Sequence, residues 1–393
     1  MSQADSGSGG FTFSADVDFL GNHTDVLVLS GDTPAARVAV APKYQGRVMT
    51  STLAGPSGTS FGWINRKFVT AGKTGTEFDN YGGEDRLWFG PEAGPFGLFF
   101  KPGDKQTPDV WFTPPAFNDF HFDAVNRQGN RVRMTKRGMT LSNVAGTSFT
   151  LDVEREITVL SGEELNAAIH MPVPDGVRYV AYQSRNVMRN AGPDTWRRDG
   201  GLPSIWILGQ YAPAPKGVAI VPYVAGDESK LGPVANGNYF DPVPPDRLKV
   251  TPKTVLFKTD GQQRGKIGVG PKRCRSSVGS YDAGGDNLTV VQLSFTHQRW
   301  YVSSLWETPQ KAPFGGDVIN CYNDGPLRPG EPPLHGGFYE LETSSHADEL
   351  QVHQEIEHVH RTIHFHGPRA ALQPLAAKTL NADLDAVCAA FGL

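Results

Sequence analysis

Long apolar runs, paired cysteines and blocks of like charge are what this 393-residue chain lacks, and each absence removes a class of function. No apolar stretch approaches the ~18–20 residues that a membrane-crossing helix needs, so no membrane span is expected. Three cysteines, Cys274, Cys321 and Cys388, lie far apart and are odd in number, which argues against a disulfide framework and a clustered metal site. Charges nearly balance, 37 basic against 41 acidic residues for a net −4, so the basic footprint of a nucleic-acid binder is missing. No unit of ~20–50 residues recurs, which disfavours a propeller or solenoid. The opening "MSQADSGSGG" has no charged-then-apolar leader; residues 1–10 are expected to be disordered. The compartment is left open: cytoplasmic as the sequence stands, periplasmic or secreted if a leader has been removed.

What the chain has is turns. Gly (45) and Pro (30) punctuate short segments such as "ARVAVAP", "SFTLDVEREITVL", "SIWILGQY", "GVAIVPYV" and "NLTVVQLSF", whose apolar residues alternate with period two. The pattern predicts an all-β, large antiparallel sandwich over residues 11–367. One helix is expected in residues 368–393, where Leu380, Leu384, Val387 and Cys388 recur at helical spacing and Pro374 suits a first turn. The stretch from Val224 to Lys249 is long and rich in Gly, Pro and Asp, and reads as a loop bordering a site.

In "FYELETSS", alternation puts Glu340 and Glu342 on one strand face and Tyr339 and Leu341 on the other. From alternation alone this is a solvated polar face. Glu84, Asp85 and Arg86 cluster just before Trp88 and Phe89, either a surface turn or the edge of a half-buried site. His358, His360, His364 and His366 share a face of the last strand, expected to be a polar face or cleft wall, with a metal pair as the lesser alternative. "GKIGVGPKRC" looks like a Gly-rich loop without the phosphate-cradle pattern; its Lys266 would line a path for acidic sugars.

The order of several short motifs resembles the aldose 1-epimerases (galactose mutarotases). "LETSSHADEL" is similar to the segment carrying that family's catalytic glutamate, "SFGWINRKFV" to its Asn-Arg, "NYGGEDRLWFGP" to its His-Gly-Gly, and "SRNVMRNAG" to its Asn-His-Ser-Tyr segment. The wording of "YGGEDRLWFGPE", "CYNDGP" and "FYELETSS" looks closer still to an uncharacterised bacterial mutarotase-like family. The resemblance implies a β-supersandwich, a sugar or oligosaccharide substrate, no cofactor, and Glu342 as general base. It also implies a loss, because Tyr81 stands where the family has histidine and the Asn-His-Ser-Tyr histidine has no counterpart. Tyr81 or His121 would then supply the acid, with Asn65, Arg66, Glu84, Arg86, Arg185, Asn186, Trp196, Tyr322 and Glu340 binding substrate. The reading is a carbohydrate-active enzyme of epimerase, lyase or hydrolase type; the alternative is a non-catalytic sugar-binding protein. Oligomeric state is not predicted.

Overall fold

In the computed structural model the described residues are 11–72, 80–118, 120–307, 309–328 and 330–393; the stretch 1–10, expected to be disordered, lies outside them. Ten strands form one large sheet, five a smaller sheet and three a third. All pairings between these strands are antiparallel, as the alternation predicts. The small sheet runs, from edge to edge, Gly265–Val269, Ile319–Asn323, Tyr339–Ser344, Ser204–Tyr211 and Arg86–Gly90.

Apolar side chains glue the small sheet onto the large one. Ile267, Cys321, Leu341 and Tyr211 from the small sheet meet Val221, Phe257, Val278 and Val291 from the large one, all buried. Each such side chain contributes about 1.5–3 kcal/mol on full burial. The three-stranded sheet packs Val38, Val40 and Val48 over Val132, Ile157 and Val180 in the same way.

The histidine strand, Glu355–His366, corrects one expectation. Its even-numbered face is not wet: His358, His360 and His364 are buried between the sheets, and of these His364 borders a cavity. Polarity does not decide which face a strand buries when hydroxyl partners wait on the other side. Thr343 Oγ1 lies 2.8 Å from His358 Nε2 and 2.9 Å from His360 Nδ1. Burial pushes His358 down to about 3 and His360 down to about 4, so both stay neutral. Beside them Asp85 and Arg155 pair at 2.6 Å with no exposure, and Arg155 also donates to Asn186 Oδ1 at 2.6 Å. No group of three or more His, Cys, Asp or Glu suited to hold a metal occurs among the described residues.

The odd-numbered face of the same strand meets helices. Ile363 and Phe365 pack with Leu372, Leu375, Leu380, Leu384 and Val387. The single expected C-terminal helix is two, Arg369–Leu380 and Leu384–Phe391. Asn381 takes a left-handed conformation (φ 53°) that ends the first, and the Asp383 side chain caps the second by accepting from the backbone of Asp385 and Ala386. Pro374 sits inside the first helix and not in its first turn, because the helix begins right after Pro368. The segment from Val224 onward holds only a short helix, Glu228–Leu231, before the edge strand Leu248–Val250.

Candidate functional site

Strand register assembles the site on the outer face of the small sheet. Glu342 faces Asn320 and Leu208 across its two neighbours, and Glu340 faces Tyr322 and Gln210. One strand further out, Arg86 and Trp88 lie opposite Leu208 and Trp206, and on the other side Lys266 lies opposite Tyr322. Period two therefore puts Lys266, Tyr322, Asn320, Glu340, Glu342, Trp206, Arg86 and Trp88 on one side of five strands, away from the large sheet.

Contacts follow from that placement. Lys266 Nζ lies 2.9 Å from both oxygens of Glu342, which also accepts from Trp206 Nε1 at 3.0 Å. Arg86 Nη2 donates to Glu340 Oε1 at 3.0 Å, and its guanidinium sits 4.0 Å over the Trp88 ring. All four charged side chains are nearly inaccessible: 1% for Arg86, 8% for Glu340, 8% for Lys266 and 0% for Glu342. Glu92, half-buried just past the Arg86 strand, accepts from Trp111 Nε1 at 3.1 Å. Asp317 lies over Gly268, where a Cβ would come within 2.1 Å of its Oδ2, and accepts from Tyr239 Oη at 2.7 Å. Tyr239 comes from the long segment read as a loop, so that segment borders this face. Its neighbour Phe240 packs edge-on to Tyr322.

Two cations thus meet three carboxylates, Glu92, Glu340 and Glu342. Burial pushes Glu340 up to about 8 despite the opposing pull of Arg86, and it raises Glu92 as well. Lys266, although burial opposes its charge, is raised by Glu342, Glu92 and Glu340. Asp317 is pushed up to about 6, again by burial. Glu340 therefore holds a proton at neutral pH while Lys266 stays charged beside Glu342.

Of the catalytic and substrate-binding residues expected from sequence, the structure brings four to this face: Glu342, Glu340, Arg86 and Tyr322; Lys266, expected on a path for acidic sugars, joins them. Tyr322 Oη donates to Asp324 at 2.9 Å and is pushed well above its usual range, first by burial. Tyr81 lies in a separate cluster with Leu20, Met49 and Val69, its ring stacked 4.0 Å from Tyr44. His121 is exposed ahead of the strand Ala124–Gln128. Asn65 caps the helix Arg66–Ala71, and Arg66 pairs with Asp16 at 2.5 Å. Glu84 and Asn186 are buried on the inner side, where Asn186 holds Arg155. Arg185 lies on the outside of the large sheet, paired with Glu154 and Glu357. Trp196, expected to stack on a sugar, is core: 5% exposed and edge-on to Phe149. Sequence reasoning missed Glu92 and Asp317 altogether and took Lys266 for a loop residue. The short alternation of "GKIGV" was the signal for Lys266.

The description of one family model, a family of unknown function (DUF6786), matches residues 11–391. The chain belongs to the DUF6786 family. The match spans every residue of the outer-face site. No curated protein matches it in sequence. Among solved structures, the Slr1438 protein from Synechocystis sp. PCC 6803 is similar at 9% identity and TM-score 0.48, over 88% of this chain and 96% of that one. The galactose 1-epimerase from Lactobacillus acidophilus NCFM is similar at 10% identity and TM-score 0.41, over 87% and 93% of the two chains. At such identities and TM-scores these likenesses carry no residue correspondence into this DUF6786 chain.

Proposed function

We propose that the outer face of the small sheet binds a carbohydrate and that Glu342 acts there as general base. The observation that carries the reading is the asymmetry of two carboxyl groups on one strand. Glu342 accepts from an ammonium and an indole N–H, charge-assisted contacts that Glu340 Oε1 has only with Arg86. Glu340, two residues away, is pushed up to about 8 and favours the acid. A pair of carboxyl groups whose surroundings differ in this way is suited to divide base and acid roles. Half-buried Trp111, Trp306 and Tyr239 around the face offer flat surfaces for a sugar ring. The resemblance of "LETSSHADEL" to the mutarotase glutamate segment supports the same residue.

The chemistry open to this set is proton transfer at a sugar hydroxyl or carbon, as in epimerase- and lyase-type reactions. Glu92 follows the end of the Arg86–Gly90 strand, away from the strand of Glu342, so a hydrolase-type pair across a glycosidic bond would use those two. The test is to incubate wild type and Glu342→Gln with a panel of sugars and follow anomer interchange and reducing ends by NMR. Turnover by wild type and its loss in the variant is the expected result. Equal turnover by both removes Glu342 from the role.

One observation favours a second reading, a sugar-binding protein without catalysis. Glu342 is wholly buried with both oxygens on Lys266, and a base must be reachable. Binding by both proteins without turnover by either would establish that reading.

A further inference from the structure

A cavity of about 840 Å³ opens on the opposite side of the small sheet from Glu342. Tyr211 and Tyr339 line it, and in their strands the adjacent Gln210 and Glu340 point the other way, so the sheet itself separates the two sites. Its walls include the rings of Phe61, Trp63, Tyr211 and Tyr339, together with Thr289 and His364.

The floor is a chain of three buried polar side chains. Glu84 accepts from the Ser51 backbone N–H at 2.5 Å, from Ser51 Oγ at 2.8 Å and from Tyr182 Oη at 3.0 Å. His364 Nε2 lies 3.0 Å from the same carboxylate and Nδ1 lies 2.8 Å from Thr289 Oγ1. A carboxylate only accepts, so Nε2 carries a proton, and in the neutral imidazole Nδ1 is then the acceptor. Thr289 then donates its hydroxyl hydrogen to Nδ1, which leaves its oxygen lone pairs to be shared between the neighbouring Tyr339 hydroxyl and a ligand. Phe61, stacked 4.2 Å from the imidazole, keeps the ring in that plane. A second hydroxyl, Thr259 Oγ1, is buried on the same cavity with no partner. Four charged residues lie at the wall: Asp16 and Arg66 pair with each other, and Lys67 and Asp282 are of opposite sign, so the lining carries no net charge.

We propose that this cavity is a second ligand site, for a neutral polyhydroxylated ring compound of short-oligosaccharide size. Aromatic faces take the apolar faces of the rings, and Thr289 Oγ accepts a ligand hydroxyl, aimed by His364 and Glu84. A volume of about 840 Å³ lies in the upper part of the range for small-molecule pockets, which suits more than one ring. The site is independent of any chemistry at Glu342.

The test is calorimetric titration with maltotriose, cellotriose and raffinose of wild type, Thr289→Val, Thr289→Ser and Glu342→Gln. At least one trisaccharide should bind wild type and Glu342→Gln alike. Thr289→Val should weaken that binding about tenfold or more, and Thr289→Ser should retain it. No binding of any of the three at millimolar concentration overturns the proposal. So does binding that Glu342→Gln abolishes and Thr289→Val leaves intact, which would place the sugar on the outer face. Should Thr289→Val not fold, a crystal soaked with the tightest trisaccharide decides, since an empty cavity there refutes the site.

Discussion

Replacing Lys266 by methionine deletes a buried cation while keeping the length of the side chain. Glu342, with no exposure of its own, then has Trp206 Nε1 as its remaining named donor. Removing one partner of a buried ion pair costs about 3–5 kcal/mol, because the other charge stays desolvated without compensation. Replacing both partners by neutral groups of similar shape costs far less, since no charge is stranded. The double variant Lys266→Met/Glu342→Gln should therefore lie within ~1.5 kcal/mol of wild type, the glutamine still accepting from Trp206. The coupling energy in the double-mutant cycle would be ~2 kcal/mol or more. Urea unfolding of the four proteins, followed by tryptophan fluorescence, measures each corner. A cost below ~1 kcal/mol for Lys266→Met, or single costs that simply add, would refute the pairing as the organising contact of the site.

Other consequences can be checked separately. The unfolded chain binds protons at His358 and His360 below pH ~6.5, whereas the folded chain binds them only at about 3 and about 4. Stability is therefore full above ~6.5 and falls on acidification by up to ~1.4 kcal/mol per pH unit for each histidine, which urea midpoints at falling pH will show. Glu340 should give a protonated-carboxyl infrared band at neutral pH that fades as pH rises through about 8 and is missing in Glu340→Gln; an unchanged band in the variant would assign the proton elsewhere. Gly82→Ala should destabilise by more than ~3 kcal/mol, since φ is +89° and the new Cβ would lie 2.2 Å from the Trp63 carbonyl oxygen. Thermal melting reads it directly, and a near-native melt would contradict the tight approach.

Alternation is local, and what is local was legible. It placed Glu340 and Glu342 together and Leu341 opposite, and it predicted an antiparallel sandwich. It could not tell which strands would flank Tyr339–Ser344, and so could not bring Arg86 and Lys266 to the two glutamates. Lys266 was hidden by the glycines around it, which read as loop. Glu92 lies past its strand's end, where no periodicity reaches. The histidine strand misled for a related reason: its face was grouped correctly, but its burial depends on Thr343 of another strand. Trp196 sits in an irregular segment, and nothing in that segment discloses that Phe149 covers it.

The long reach of the buried pairs bears on how the chain is made. Glu84 meets His364 across 280 positions, and Arg86 meets Glu340 across 254. During synthesis the N-terminal halves of both contacts emerge long before their counterparts exist. Until Glu340 and then the strand Glu355–His366 arrive, Arg86 lacks Glu340 and Glu84 lacks His364, which opposes premature closure of the two sheets on each other. Ribosome-held chains ending before Glu355 should remain open to protease around Glu84 and Arg155, and should become resistant once that strand and the two terminal helices are released.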